Sequence, residues 1–184
     1  MVGDSRSICK NSVVLLSIIT AVLFLGSSCK QKKQSLVVDE NTLREKILEA
    51  NQNILQAESF LIDSFIRAHD FNMQRTGSGL RYEIMREGNG KKASEGDEVM
   101  ISYKAYLLDG SLCLSNPAKE PQLLKLGKGE QTKGVEETIL LLSEGGSARM
   151  LVPAHLAYGP RGDNGNIPPA SILYYELTLL AINK

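Results

Sequence analysis

From Asn41 to His69 the apolar residues recur in steps of four and three. They are Leu43, Ile47, Ala50, Ile54, Ala57, Leu61 and Phe65, with Leu48, Leu55 and Ile62 in a second row seven apart. That period predicts an amphipathic helix, or two consecutive helices, over about residues 41–69. Thr42 with Glu45 three places on has the capping-box form of a helix start. Neither Gly nor Pro interrupts the stripe, and it is wide enough to need a cover. The cover could be the chain's own domain, a second copy in a homodimer through these helices, or a client segment.

Beyond the helix the period drops to two. Phe71–Gln74 reads as a short strand, Thr76–Gly79 as a turn, and Leu80–Glu87 as a strand with Leu80, Tyr82 and Ile84 on one face. Val99, Ile101, Tyr103, Ala105 and Leu107 share one face of another strand, and Asp109-Gly110 marks a hairpin. Leu123, Leu124 and Leu126 mark a further strand. Val135, Ile139, Leu140 and Leu142 return to helical spacing, with Gly145-Gly146 as the expected left-handed stop. Ser147–Val152 is a strand closed by Pro153, which has no N–H for a ladder. A Gly/Pro-rich loop from Ala157 to Pro169 then leads into alternating Leu173, Tyr175, Leu177 and Leu179. One short apolar helix among five or six strands predicts an α+β fold, an antiparallel sheet curved around that helix and preceded by a helical segment. Spacing alone leaves the 157–169 loop as either a pocket wall or an idle hairpin.

The first residues follow a different pattern. Arg6 and Lys10 precede a 13-residue apolar run, Val13–Leu25, and Gly26-Ser27-Ser28-Cys29 follows. The run is short for a spanning helix, which needs about 20 residues, and fits a secretory signal. Small residues directly before a Cys resemble a bacterial lipoprotein signal, which implies a lipid on Cys29, although Leu25 lies four places before it rather than three. Ordinary cleavage with a free thiol, or an uncleaved anchor, are the other readings. The domains expected are a leader over 1–28, a tether over 29–40, a helical segment over 41–78 and a β domain over 79–184.

Charge removes several functions. Lys plus Arg balance Asp plus Glu at 21 each, with no basic block, so nucleic acid is not an expected partner. With Cys9 in the leader and Cys29 at its end, only Cys113 remains to the β domain, which leaves no intrachain disulfide. His69 and His155 have no metal-ligand neighbours at useful spacing, so neither metal nor cofactor is expected.

A set of short motifs then falls in order over about a hundred residues. These are Gly88-Asn89-Gly90, Glu95-Gly96-Asp97, Tyr103, Leu108-Asp109-Gly110, Leu126-Gly127, Lys133-Gly134-Val135-Glu136, Gly145, Val152-Pro153, Leu156-Ala157-Tyr158-Gly159 and Ile167-Pro168-Pro169. The run from Gly79 to Ile182 resembles an FKBP-type peptidyl-prolyl cis-trans isomerase domain. With its leader and helices, the chain looks like the secreted FKBP lipoproteins of Gram-negative bacteria, particularly Bacteroidetes, some of them associated with gliding motility.

The resemblance implies an isomerase of proline-containing polypeptides, anchored to the membrane by lipid in the cell envelope, facing the periplasm and assisting folding of exported proteins. Rotation about X–Pro meets a barrier of about 18–20 kcal/mol, yet no bond is made or broken. The chemistry needs apolar walls and fixed donors rather than a nucleophile or cofactor. Carried over by position, Tyr103 is a wall with a polar tip, Tyr158 a hydroxyl donor to a substrate carbonyl, Ile167 a loop wall and Tyr175 the pocket base, where the family usually has Phe. The Thr132 N–H would hold a peptide carbonyl. The remaining lining departs from the family. Cys113 stands for a Phe, Leu114 for an Asp, Gln122 for an aromatic, Gln131 and Thr132 for an apolar pair, Val135 for a Trp, and Asn166 for an apolar residue. From side-chain volume these changes predict a wider, shallower and more polar pocket. They also support a second reading, a catalytically weak or inactive chaperone-like or assembly module, for example in motility or secretion machinery.

Overall fold

The computed structural model describes residues 39–183. The expected leader, the lipidation at Cys29 and most of the tether lie outside the described residues. The chain divides into two compact units, Met1–Leu43 and Arg44–Lys184.

Helix α1 is one continuous helix, Glu40–Ala68. It starts before the expected cap. Thr42 sits in the first turn, where its hydroxyl donates to Asp39 Oδ2, and the Leu43 N–H reaches the Asp39 carbonyl. Ile62 is buried against Leu151 and Ile172, and Phe65 and Ile66 pack on the same cluster. The rest of the stripe is open: Ile47, Leu48, Ile54, Leu55 and Leu61 are exposed, and Phe60 is 66% exposed. Among the described residues, the chain's own domain thus covers the helix only near its C-terminal end.

The described residues form a seven-stranded antiparallel sheet. Its strands are β1 (Gln74–Arg75), β2 (Arg81–Arg86), β3 (Glu98–Leu107), β4 (Leu112–Asn116), β5 (Gln122–Lys125), β6 (Ser147–Val152) and β7 (Leu173–Asn183). The order is β1-β2-β6-β7-β3-β4, with β5 also paired to β3. Sequence-adjacent strands do not always neighbour each other; the last strand, β7, runs between β6 and β3 in the sheet centre, whereas the first, β1, lies at one edge. The first strand lies later than expected: Phe71 is outside it and joins an aromatic cluster instead. Helix α2 (Lys133–Leu141) packs on the inner face, with Val135, Thr138 and Ile139 buried. It ends on Leu142 in extended backbone, so Gly145 (φ +83°) does not cap it. That glycine turn instead aims the chain into β6: the Gly145 N–H donates to Leu179 O and the Gly146 N–H to Ser143 O.

The alternation expected for β3 and β7 holds, because each has one face on the core. Val99, Ile101, Tyr103 and Ala105 are buried from β3, and Leu173, Tyr175, Leu177 and Leu179 from β7. The opposite face carries Tyr106 and Tyr174; the Tyr174 ring meets those of Tyr106, Phe65 and Phe71, and His69 lies against Phe71. Arg149 lies 3.7 Å over the Phe71 ring and pairs with Glu83 at 2.8 Å. These rings fix the end of α1 to the outer face of the sheet.

Polar contacts tie α1 to the domain as well. Arg81 is buried, and its guanidinium meets Asp63, Ser59 and the Gly79 carbonyl. Glu58 Oε1 accepts the Ala154 N–H at 3.0 Å, and His155 Nε2 lies 3.0 Å from the Ser78 carbonyl oxygen. Ala154–Leu156 is a 3₁₀ turn that leads into Tyr158, so α1 braces the segment that carries that tyrosine.

Candidate functional site

The residues carried over by position come from six separate elements and converge on the inner end of the sheet. Ala105 in the middle of β3 pairs with Tyr175 on β7 and with Leu114 on β4. A bulge at Ala105/Tyr106 gives β4 one extra residue, and both Cys113 and Leu114 turn to the core cluster. Tyr103, Cys113, Val135, Ile167 and Tyr175 are buried together, with Leu114 and Tyr158 packed against them. The Tyr103 and Tyr175 rings are 5.9 Å apart and tilted. Gln122, Gln131 and Thr132 form a half-buried polar side.

The floor is closed rather than open. Val135 and Tyr175 are both 0% exposed. Both side chains belong to the core cluster. The polar character expected from the sequence is present, concentrated in hydroxyls and amides. Two buried hydroxyl oxygens, Tyr175 Oη and Thr132 Oγ1, make no well-formed hydrogen bond, although the Tyr158 and Thr132 hydroxyls lie alongside that of Tyr175. Burial, with Tyr158 and Tyr103 alongside, pushes the Tyr175 phenol far above its ordinary value. Burial and then Tyr103 also raise Tyr158. Both phenols therefore keep their protons at neutral pH and are available as donors. Burial pushes the Cys113 thiol up, and its Sγ donates to the Ser111 carbonyl. It serves as a small wall residue rather than a thiolate.

The loop holding Ile167 is built from local chemistry. Asp163 Oδ1 accepts the Gly165 and Ile167 N–H groups, each at 2.8 Å. These bonds hold its carboxyl below the usual range. Gly162 has φ +68°, and a Cβ there would run into the Ile167 carbonyl oxygen and Pro168. Asn166 Nδ2 donates to the Cys113 carbonyl at 3.4 Å, which links the loop to β4. Asp163 with Gly165 two places on is a side-chain-to-backbone turn, in keeping with the turn-forming run Gly162-Asp163-Asn164-Gly165. Among the described residues, no group of three or more His, Cys, Asp or Glu side chains could hold a metal ion, and no helix is long and apolar enough to cross a membrane.

The comparisons agree with this geometry. A family model described as FKBP-type peptidyl-prolyl cis-trans isomerase matches residues 89–180. The chain is 34% identical over 105 residues to the FK506-binding protein of Neisseria meningitidis serogroup B, covering 56% of this chain and 96% of that one. A longer match, 30% over 153 residues, joins 83% of this chain to about half (53%) of the probable FKBP-type isomerase FkpA of the same organism. The crystal structure of AtFKBP13 superposes with a TM-score of 0.57 at 27% identity, over 61% of this chain and 99% of that one. The sheet wrapped on α2, the hydroxyl-rimmed apolar cluster and these likenesses agree: the chain belongs to the FKBP-type peptidyl-prolyl cis-trans isomerases.

Proposed function

We propose that this isomerase assists folding of exported proteins at the cell envelope, held there by a lipid on Cys29 and facing the periplasm. We place its site at Tyr103, Tyr158, Ile167 and Tyr175, with Cys113, Leu114, Gln122, Gln131, Thr132 and Val135 around the substrate. The observation that carries the site is the convergence of Tyr103, Cys113, Leu114, Val135, Ile167 and Tyr175 into one apolar cluster with Tyr158 at its edge. There the proline ring would meet apolar walls, while the Tyr158 hydroxyl and the Thr132 N–H hold the flanking carbonyls. Donors that fit the twisted X–Pro geometry better than the planar one lower the barrier. The leader pattern and the Cys after small residues support the envelope reading.

Isomerisation of X–Pro peptides by the fragment starting at Lys30 tests the site. Acceleration is expected, and Tyr158→Phe is expected to cut kcat/KM about tenfold, the worth of one transition-state hydrogen bond. A rate unmoved by Tyr158→Phe would remove that residue from the machinery. Anchoring is tested separately: the full-length chain made in a Gram-negative host should partition into detergent with added lipid mass, and Cys29→Ala should abolish both.

The chaperone-like reading has its own support in the long exposed apolar face of α1. That face suits a client segment or a second copy of the chain. Absence of acceleration on several X–Pro peptides, combined with suppressed aggregation of an unfolded client, would favour it.

A further inference from the structure

The side chain of Gln131 lies across the rim of the site and is held there by three contacts. Its Oε1 accepts the Thr132 N–H at 3.3 Å. Its Nε2 donates to Gln122 Oε1 at 2.8 Å and to the Tyr103 hydroxyl at 3.4 Å. A carboxamide offers the same carbonyl acceptor and N–H donor as a peptide group. Gln131 thus presents a peptide-like group to the main-chain donor proposed above for the substrate carbonyl. We propose that Gln131 is an internal surrogate for the substrate, which a proline peptide must displace, so that this residue sets the affinity of the site. The inference rests on the isomerase site proposed above.

The contact lengths say how displacement proceeds. The bonds to Thr132 and Tyr103 are long and weak, whereas the bond to Gln122 is short. The carboxamide can pivot on Gln122 and release the other two. Thr132 also caps the N-terminus of α2, where the helix favours negative charge. A carboxylate at position 131 would therefore hold the Thr132 N–H more firmly than the amide does.

Two substitutions in the full-length protein give opposite expectations. Gln131→Val frees the Thr132 N–H and should tighten binding of a proline peptide about threefold to tenfold, with the gain in KM rather than in kcat. Gln131→Glu should weaken binding by a similar factor at neutral pH. The Thr132 amide resonance supplies a readout independent of turnover: it should exchange with solvent faster in free Gln131→Val than in the parent. Residue 131 is half-buried at the rim, so neither change threatens folding. Equal affinity in all three proteins, with turnover intact, would overturn the surrogate role alone. Failure of all three to bind or turn over proline peptides would overturn the isomerase site along with it.

Discussion

Gly134→Ala is expected to destabilise the domain by about 2 kcal/mol, although alanine is the better helix former by about 1 kcal/mol. Gly134 lies in the first turn of α2, buried on β6. A Cβ there would run into one Val152 methyl, with the second at 3.2 Å and the Leu156 carbonyl at 3.4 Å. Val152 is itself 0% exposed, so its side chain has little room to turn away. Helix α2 must then lift from the sheet, and overpacking of this kind exceeds the propensity gain. The denaturant midpoint should fall at unchanged m. The site should suffer with it, since Thr132 and Val135 flank the same turn. A midpoint raised by the substitution would show that Val152 re-rotates freely and that the close approach carries no constraint.

Much of this fold was legible because its core has one side. Strand β3 alternates throughout and β7 as far as Leu179, and their buried residues are the ones the period of two selects. The ordered motifs between Gly88 and Pro169 carry the family resemblance. What the chain alone did not reveal depends on tertiary partners. The stripe on α1 is continuous in sequence, yet only Ile62 and its neighbours find a cover, because the sheet ends there. Phe71 has strand-like propensity but is taken up by the rings of Phe65 and Tyr174. Side-chain volume alone predicts a wider, shallower pocket; that Val135 and Tyr175 are both fully buried is set by their tertiary neighbours. The Gln131 bridge joins positions 9 and 28 residues away, a distance no local pattern encodes.

Tyr175 separates a packing role from a polar one by the sign of two substitutions. Its ring is fully buried between β3 and α2, so Tyr175→Ala should cost about 3–5 kcal/mol through lost contacts and a cavity. Tyr175→Phe should do the reverse and stabilise the domain by about 1 kcal/mol, a rise of about 2–4 °C in Tm for a domain of this size. The reason is the hydroxyl: it is removed from water and, although the Tyr158 and Thr132 hydroxyls lie alongside, it makes no well-formed hydrogen bond, so its desolvation is poorly compensated. Removing a hydroxyl that does have a partner normally destabilises, so the direction of the shift decides the matter. The neighbouring Thr132 Oγ1 is likewise buried without a well-formed bond of its own. Calorimetry of the free protein checks this, with a higher Tm expected for Tyr175→Phe than for the parent. A lower Tm for free Tyr175→Phe would mean that the hydroxyl already has a partner and that its role is structural.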